Sequence, residues 1–327
     1  LGKSKERSMQ IAILIPCHNE ETTVGFVINS FRAVRPAADI YVYDNDSTDG
    51  TAAAALTAGV TPRREPLRGK GNVVRRMFAD VEADVYVLVD GDGTYDAASL
   101  GFMLHRLVND QLDMVVGRRR FEGGTSVYRT GHALGNRLLT GAVALAFGAR
   151  FTDMLSGYRV LSRRFVKSFP ALSSGFEIET ELTVHALSLS LPADEIDTPY
   201  IARPEGSLSK LNTFRDGLRI LKTIFKLLKE ERPFAFFSTI GVVLMLTALG
   251  VAFPILLTYL ETGLVPRLPT AVAATGLTIL ASLSFACAII LDSVRHGRLE
   301  NRRLFYLRLP ALDSRETAKA KERLAAA

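Results

Sequence analysis

Short β-rich runs alternate with helix-like stretches through the first two hundred positions. IAILIPC (11–17), DIYVYDN (39–45), DVYVLVD (84–90) and DMVVGRR (113–119) are rich in strand-forming residues and close on polar ones. The stretches 20–35, 51–59, 72–83 and 97–109 between them read as helices. Strand, helix, strand in this rhythm predicts a mostly parallel sheet covered on both faces. In such sheets ligands bind beyond the carboxyl ends of the strands. After residue 208 the pattern changes. Leu211, Phe214, Leu218, Leu221, Phe225 and Leu228 form a continuous helical stripe, with Arg215, Arg219, Lys222, Lys226 and Lys229 on an adjacent arc. Apolar and basic faces side by side predict an amphipathic helix over 209–232 lying in the headgroup layer of a membrane. Residues 234–260 and 268–291 then contain no charge at all. About 20 apolar residues suffice to cross a bilayer as a helix, so 233–292 is expected to hold two membrane spans. Pro233 fits the first helical turn, and Pro254 is expected to kink the first span.

Composition sharpens this division. Of 327 residues, 48% are hydrophobic and 23% charged, which excludes a disordered or collagen-like chain. A mean hydropathy of +0.16 is high for so much charge. The spans explain it: residues 234–291 hold two of the 74 formal charges, and the remainder is about 27% charged. Basic residues flank the spans, seven against three acids over 210–232 and five against two over 292–308, while the link 261–267 holds one of each sign. Positive flanks stay in the cytoplasm. The expected location is therefore the cell inner membrane, multi-pass, with the first domain cytoplasmic. The opening LGKSKERSMQ is polar and basic and reads as an N-terminal arm (1–9) rather than a secretory signal. A first domain over 10–208 and a cytoplasmic tail over 293–327 complete the division. Two cysteines far apart exclude a disulfide framework and a cysteine-based zinc site, and the five histidines show no ligand spacing. The net charge of +6 points to an anionic partner. Nucleic acid is not expected, because the basic residues are not interleaved with exposed aromatics.

The unusual residues stand at the strand ends. Pro16-Cys17-His18-Asn19-Glu20-Glu21 follows the first strand, Asp44-Asn45-Asp46-Ser47-Thr48-Asp49-Gly50-Thr51 the second, Asp90-Gly91-Asp92-Gly93-Thr94 the third and Gly117-Arg118-Arg119-Arg120 the fourth. Asp, Asn, Ser and Gly also cap helices and turn chains, which accounts for the 44–51 segment equally well. The Asp90/Asp92 pair is harder to dismiss. Two carboxylates flanking a glycine repel unless a cation or a basic group sits between them, and Mg²⁺ or Mn²⁺ takes such oxygen ligands while leaving positions for phosphate.

The order IPCHNEE, YDNDSTDGT, RGKGNVVRRMF, VLVDGDGTYD, GRR resembles the family-2 glycosyltransferases of GT-A fold, and within them the polyprenyl-phosphate sugar synthases, both dolichol-phosphate-mannose-synthase-like and GtrB-like. The resemblance spans roughly residues 10–215. It implies an α/β, Rossmann-like catalytic domain with a mostly parallel sheet. It implies that Pro16, Asn19, Glu20, Asp44 and Asp46 line the base and ribose pocket, with Lys70 and Gly71 near the nucleotide. It makes Asp92 the principal ligand of Mg²⁺ or Mn²⁺, with Asp90 beside it. Thr94 stands where some relatives carry glutamine. Arg118 would contact phosphate, and Arg129 would hold the acceptor's phosphate. TDMLSGYRVLSRR (152–164) resembles a block that turns Asp153, Ser156 and Arg159 to the active site. In ARPEGSLSKL (202–211), Arg203, Ser209 and Lys210 become candidates for the lipid phosphate. GFEIETEL (175–182) follows the same pattern, although a charged helix start accounts for Glu179 and Glu181 equally well.

The implied reaction moves a hexose from a UDP- or GDP-linked sugar to a polyprenyl phosphate, undecaprenyl or dolichyl, with inversion. A homo-oligomer, a tetramer, is implied by the resemblance alone. Such a transfer must stabilise a departing diphosphate, through a metal and a guanidinium. A phosphate acceptor is already anionic and needs no strong base. A sugar hydroxyl would need one, and Asp153 is the residue for it. A processive polysaccharide synthase is excluded by the absence of tryptophan, since its QxxRW segment cannot exist here. A non-catalytic, membrane-anchored nucleotide-binding protein is the remaining rival, opposed by the intact Asp90/Asp92 pair.

Overall fold

The computed structural model describes residues 9–121, 141, 151–201, 222 and 225–312. Seven strands make one sheet: β1 (Ile11–Cys17), β2 (Asp39–Asp44), β3 (Arg63–Arg64), β4 (Val85–Leu88), β5 (Met114–Phe121), β6 (Arg159–Ser162) and β7 (Ala193–Tyr200), in the order β3-β2-β1-β4-β6-β5-β7. β1 is parallel to β2 and β4, β2 to β3, and β5 to β7. β6 alone runs antiparallel, to both β4 and β5. β1 and β4 are apolar on both faces, as central strands covered by helices on two sides must be.

The helices covering them show why they form. In α1 (Val24–Val34) the buried positions Val24, Val27, Ile28 and Phe31 follow a 3,4 rhythm. In α4 (Ser99–Asn109) Leu100, Met103, Leu104, Leu107 and Val108 do the same. Shorter or more polar helices complete the layers: α2 (Thr51–Thr57), α3 (Lys70–Asp80), α5 (Arg163–Ser168) and α6 (Ile178–Ser188). The chain leaves β1 toward β2 on one side and later returns to β4 on the other. The strand order therefore reverses at β1/β4, the place where such sheets hold ligands.

The chain divides into two compact units, one reaching to Ile220 and resuming at Arg302, the other Leu221–Asn301. Two helices dominate the second, α7 (Pro233–Thr262) and α8 (Leu268–Leu307). Only 11% and 17% of their most apolar stretches are buried. Both helices are thus largely unburied, and both are long and apolar enough to cross a membrane. Apart from Pro233, their buried positions are small and seven apart, Gly241 and Ala248 on α7 and Ala274, Ala281 and Ala288 on α8. Pro233 opens α7 as expected, and the helix continues through Pro254. α8 runs sixteen residues beyond the uncharged stretch, to Leu307. The segment expected to be tail is thus helical to that point. Tyr306, which belongs to the first unit, donates a 2.8 Å hydrogen bond to buried Asp113. The amphipathic helix expected over 209–232 lies outside the described residues except for 222 and 225–232, where 225–231 is helical.

Candidate functional site

The loops after β1 and β2 are laced into one lip. Asn45 N donates to Cys17 O (2.8 Å), Asn19 N to Ser47 Oγ (2.9 Å), Thr48 N to Asn19 Oδ1 (2.8 Å) and Glu20 N to Thr51 Oγ1 (2.8 Å). Asn19 (φ 52°) and Asp46 (φ 56°) adopt left-handed backbone, which Asn and Asp tolerate best among residues with a Cβ. Asp46 carries ion pairs with Arg64 (2.9 Å) and Arg68 (3.1 Å), and these guanidiniums hold its carboxyl below the usual range. Buried Asn45 organises the next loop, donating to Glu65 O and Leu67 O and accepting from Gly69 N. Sequence does not single it out, since within an Asp/Asn/Ser-rich run nothing marks one side chain as the buried one.

The acidic turn after β4 is fixed from two sides. Thr94, fully buried, donates to Asp92 Oδ1 through its hydroxyl (2.6 Å) and its amide (3.2 Å). It orients Asp92 rather than supplying a third carboxylate or amide oxygen. Thr23, at the head of α1, donates to Gly91 O (2.7 Å). The repulsion expected between Asp90 and Asp92 is relieved by a basic group, for Lys70 pairs with Asp90 and, at 2.5 Å, with Glu179 of α6. Burial works against the ammonium charge, but the two carboxylates outweigh it and hold Lys70 well above its ordinary range. Gly157 has no room for a Cβ against the Asp90 carboxylate. Gly71 likewise lies against the backbone of Ser173 and Ser174, and its amide donates to Ser174 O and Gly175 O (3.1 Å each). The start of α3 is thereby joined to the loop that leads into α6.

At β5 the alternation of a strand separates the three arginines. Arg118 and Arg120 pair with Asp197 of β7, and Arg118 also donates to Thr152. Arg119 points the other way and grips Asp153 through Nε and a terminal nitrogen, 2.7 Å each. Burial raises the Asp153 carboxyl, yet Arg119 more than offsets this and keeps it below the ordinary range. Arg119 also lies over the ring of Tyr200, which packs on Tyr95. The buried Tyr95 phenol, pushed up mainly by burial, feels the charges of Arg119, Asp90 and Lys70 together. The structure thus brings Arg119 toward the acidic turn and leaves Arg118 on the Asp197 face. Arg159 and Ser156, expected to face the site, are fully buried beneath it. Arg159 donates to Thr183 Oγ1 (2.9 Å) and Met154 O (2.8 Å), and burial lowers its pKa to about 10. Arg129, Arg203, Ser209 and Lys210 lie outside the described residues.

Residues 12–168 match the family described as Glycosyl transferase family 2. The chain is 34% identical over 243 residues to Glycosyltransferase AglJ of Haloferax volcanii, covering 74% of this chain and 80% of AglJ. The chain belongs to glycosyl transferase family 2. This glycosyltransferase is also 26% identical over 222 residues to the dolichyl-phosphate hexose transferase of the same organism, covering 68% of this chain and 95% of that one. In fold it resembles glucosyl-3-phosphoglycerate synthase from Mycobacterium tuberculosis, solved with Mn²⁺, UDP-glucose and phosphoglyceric acid. The TM-score is 0.55 and the identity 23%, over 67% of this chain and 79% of that chain. The fold is GT-A.

Proposed function

We propose that this glycosyltransferase moves a hexose from a nucleotide-diphosphate sugar to a polyprenyl phosphate at the cytoplasmic face of the inner membrane, with inversion at the anomeric carbon. One observation carries the proposal: an acidic turn suited to a cation and a diphosphate shares a chain with two exposed apolar helices of membrane length. The names of two relatives, a dolichyl-phosphate hexose transferase and a glycosyltransferase, favour it.

The hard oxygen donors of Asp90 and Asp92 suit Mg²⁺ or Mn²⁺. Among the described residues no three Asp, Glu, His or Cys side chains converge, so the ion's remaining ligands would have to come from outside these side chains. When bound, such an ion supplies charge neutralisation to the departing nucleoside diphosphate. Lys70 adds a fixed ammonium at the first turn of α3, where the helix dipole also favours an anion. The base and ribose would rest on Pro16, Asn19, Glu20, Asp44 and Asp46, with Gly71 letting the chain pass close by. Asp153, held as an anion by Arg119, is a weak proton acceptor. A phosphate acceptor needs none, so this arrangement favours lipid phosphate over a sugar hydroxyl. Arg118, with Arg129, Arg203, Ser209 and Lys210, remains a candidate to hold that phosphate.

The test is product formation by the purified full-length protein with undecaprenyl phosphate, Mn²⁺ and a panel of UDP- and GDP-sugars. A lipid-extractable sugar phosphate is expected from at least one donor, lost on chelation and reduced at least about 100-fold in Asp92→Ala. Transfer only to a sugar hydroxyl, or none to any acceptor, would overturn the proposal.

A further inference from the structure

Lys70 touches two carboxylates carried by different elements, Asp90 after β4 and Glu179 in the first turn of α6. Its side chain is only 8% exposed and that of Glu179 only 5%. One ammonium serves two carboxylates at once, and the field of Glu179 also reaches the buried guanidinium of Arg159. Glu179 Oε2, moreover, has no hydrogen-bond partner among the described residues. To neutralise Lys70, Asp90 alone would suffice. Burying a second, half-satisfied carboxylate beside it is costly and needs an explanation.

The explanation lies in what Asp90 does when a divalent cation arrives. A cation shared by Asp90 and Asp92 would compete with the ammonium, which holds Oδ1 of Asp90, for that carboxylate's charge. Without another counter-ion, Lys70 would be a buried, unpaired charge, and it would compete for Asp90. We propose that Glu179 is a positioning residue: it keeps Lys70 paired and aimed while Asp90 is given over to the divalent cation. Lys70 would thus neutralise Asp90 until a cation binds and would then stay paired on its Glu179 anchor. The inference rests on the metal and diphosphate reading given above. The backbone supports it, because Gly71 N is bonded to Ser174 O and Gly175 O, so Lys70 and Glu179 share one rigid frame.

The probe is Mn²⁺ alone, titrated into the purified full-length protein and followed by the resonance of free Mn²⁺, with melting curves to establish folding. Glu179→Gln is expected to weaken Mn²⁺ binding about tenfold, since Lys70 then competes for Asp90. Glu179→Asp, which retains the charge, should return binding to within about threefold of the wild type. In a Lys70→Met background the competitor is gone, and the same Glu179→Gln change should cost no more than about threefold. Equal losses in the two backgrounds, or no loss in a folded Glu179→Gln protein, would make Glu179 merely structural and overturn the proposal. Should Glu179→Gln not fold, Lys70→Met is compared with Lys70→Met/Glu179→Gln, and a loss of about tenfold or more between them overturns it. A wild-type protein that binds no Mn²⁺, with or without nucleotide, would instead sink the metal reading itself.

Discussion

Arg119 meets Asp153 through two parallel N–H···O bonds in a nearly enclosed setting, whereas the side chain of Arg118 is 42% exposed beside Asp197. Removing one partner of a buried pair leaves the other charge stranded, at a cost of about 3–5 kcal/mol. An exposed pair contributes under about 1 kcal/mol. Arg119→Ala should therefore lower the unfolding midpoint strongly in detergent, and Arg118→Ala barely. Arg119→Lys should not restore the loss, because an ammonium cannot make the two-pronged contact. Comparable small effects from both alanine variants would count against the assignment of faces. Nothing in Gly-Arg-Arg-Arg distinguishes the three arginines. Which one turns toward the acidic turn depends on the register of β5 with β7, where Arg118 lies opposite Asp197. The Asp90/Asp92 pair, by contrast, was legible, because two like charges beside a glycine at the end of an apolar strand demand a partner. That the partner is Lys70, twenty residues earlier, follows only from the sheet order that brings the head of α3 beside the end of β4.

α1 and α4 could be read from their apolar rhythm, but α6 could not. It is buried nearly all round, and its enclosed positions include Glu179, Thr180, Thr183 and His185. Their polarity erases any one-sided pattern. Glu179 and Glu181, ambiguous in sequence as site residues or a charged helix start, take different roles. Glu181 accepts from Leu172 N (2.9 Å) and Ser173 N (2.8 Å) and braces the preceding loop, whereas Glu179 takes Lys70. His185 is enclosed between the rings of Phe165 and Phe169, with Ser168 Oγ 3.2 Å from Nε2 and no hydrogen-bond partner for Nδ1 among the described residues. Burial lowers its pKa to about 3, with Arg302 adding to the effect. The folded protein therefore holds His185 neutral, while the unfolded chain takes up a proton near pH 6.5. Stability from this group is complete above that pH and is lost as pH falls from about 6.5 toward 3, about 2 kcal/mol of it by pH 5. His185→Gln should flatten the decline between pH 7 and 5 by that amount in unfolding curves. An unchanged slope would show that other groups set the acid limb.

At the scale of the molecule, the two halves of the chain obey different solvents. The first unit keeps its apolar side chains in a sheet-and-helix core. In the second, large apolar residues such as Leu246, Phe253, Ile279 and Ile289 face outward. That contrast was legible because the absence of charge over a membrane thickness needs no tertiary information. The end of α8 was not legible in the same way, since residues 292–307 are polar yet helix-compatible and hydropathy marks only where the apolar stretch stops. The proposed orientation rests on charge. The link between the helices carries Glu261 and Arg267, whereas arginines dominate 292–308. Retention of basic flanks in the cytoplasm then requires the link to face outward. A protein with Cys17 and Cys287 replaced by alanine can report this through single cysteines at Val265→Cys, in the exposed link, and Ser293→Cys, exposed beyond the second span. In spheroplasts of a bacterial host, a membrane-impermeant maleimide should label Val265→Cys at once and Ser293→Cys only after lysis. The reverse order would put the basic flanks, and with them the acidic turn, across the membrane from cytoplasmic nucleotide sugars, and the proposed reaction could not proceed in the cell.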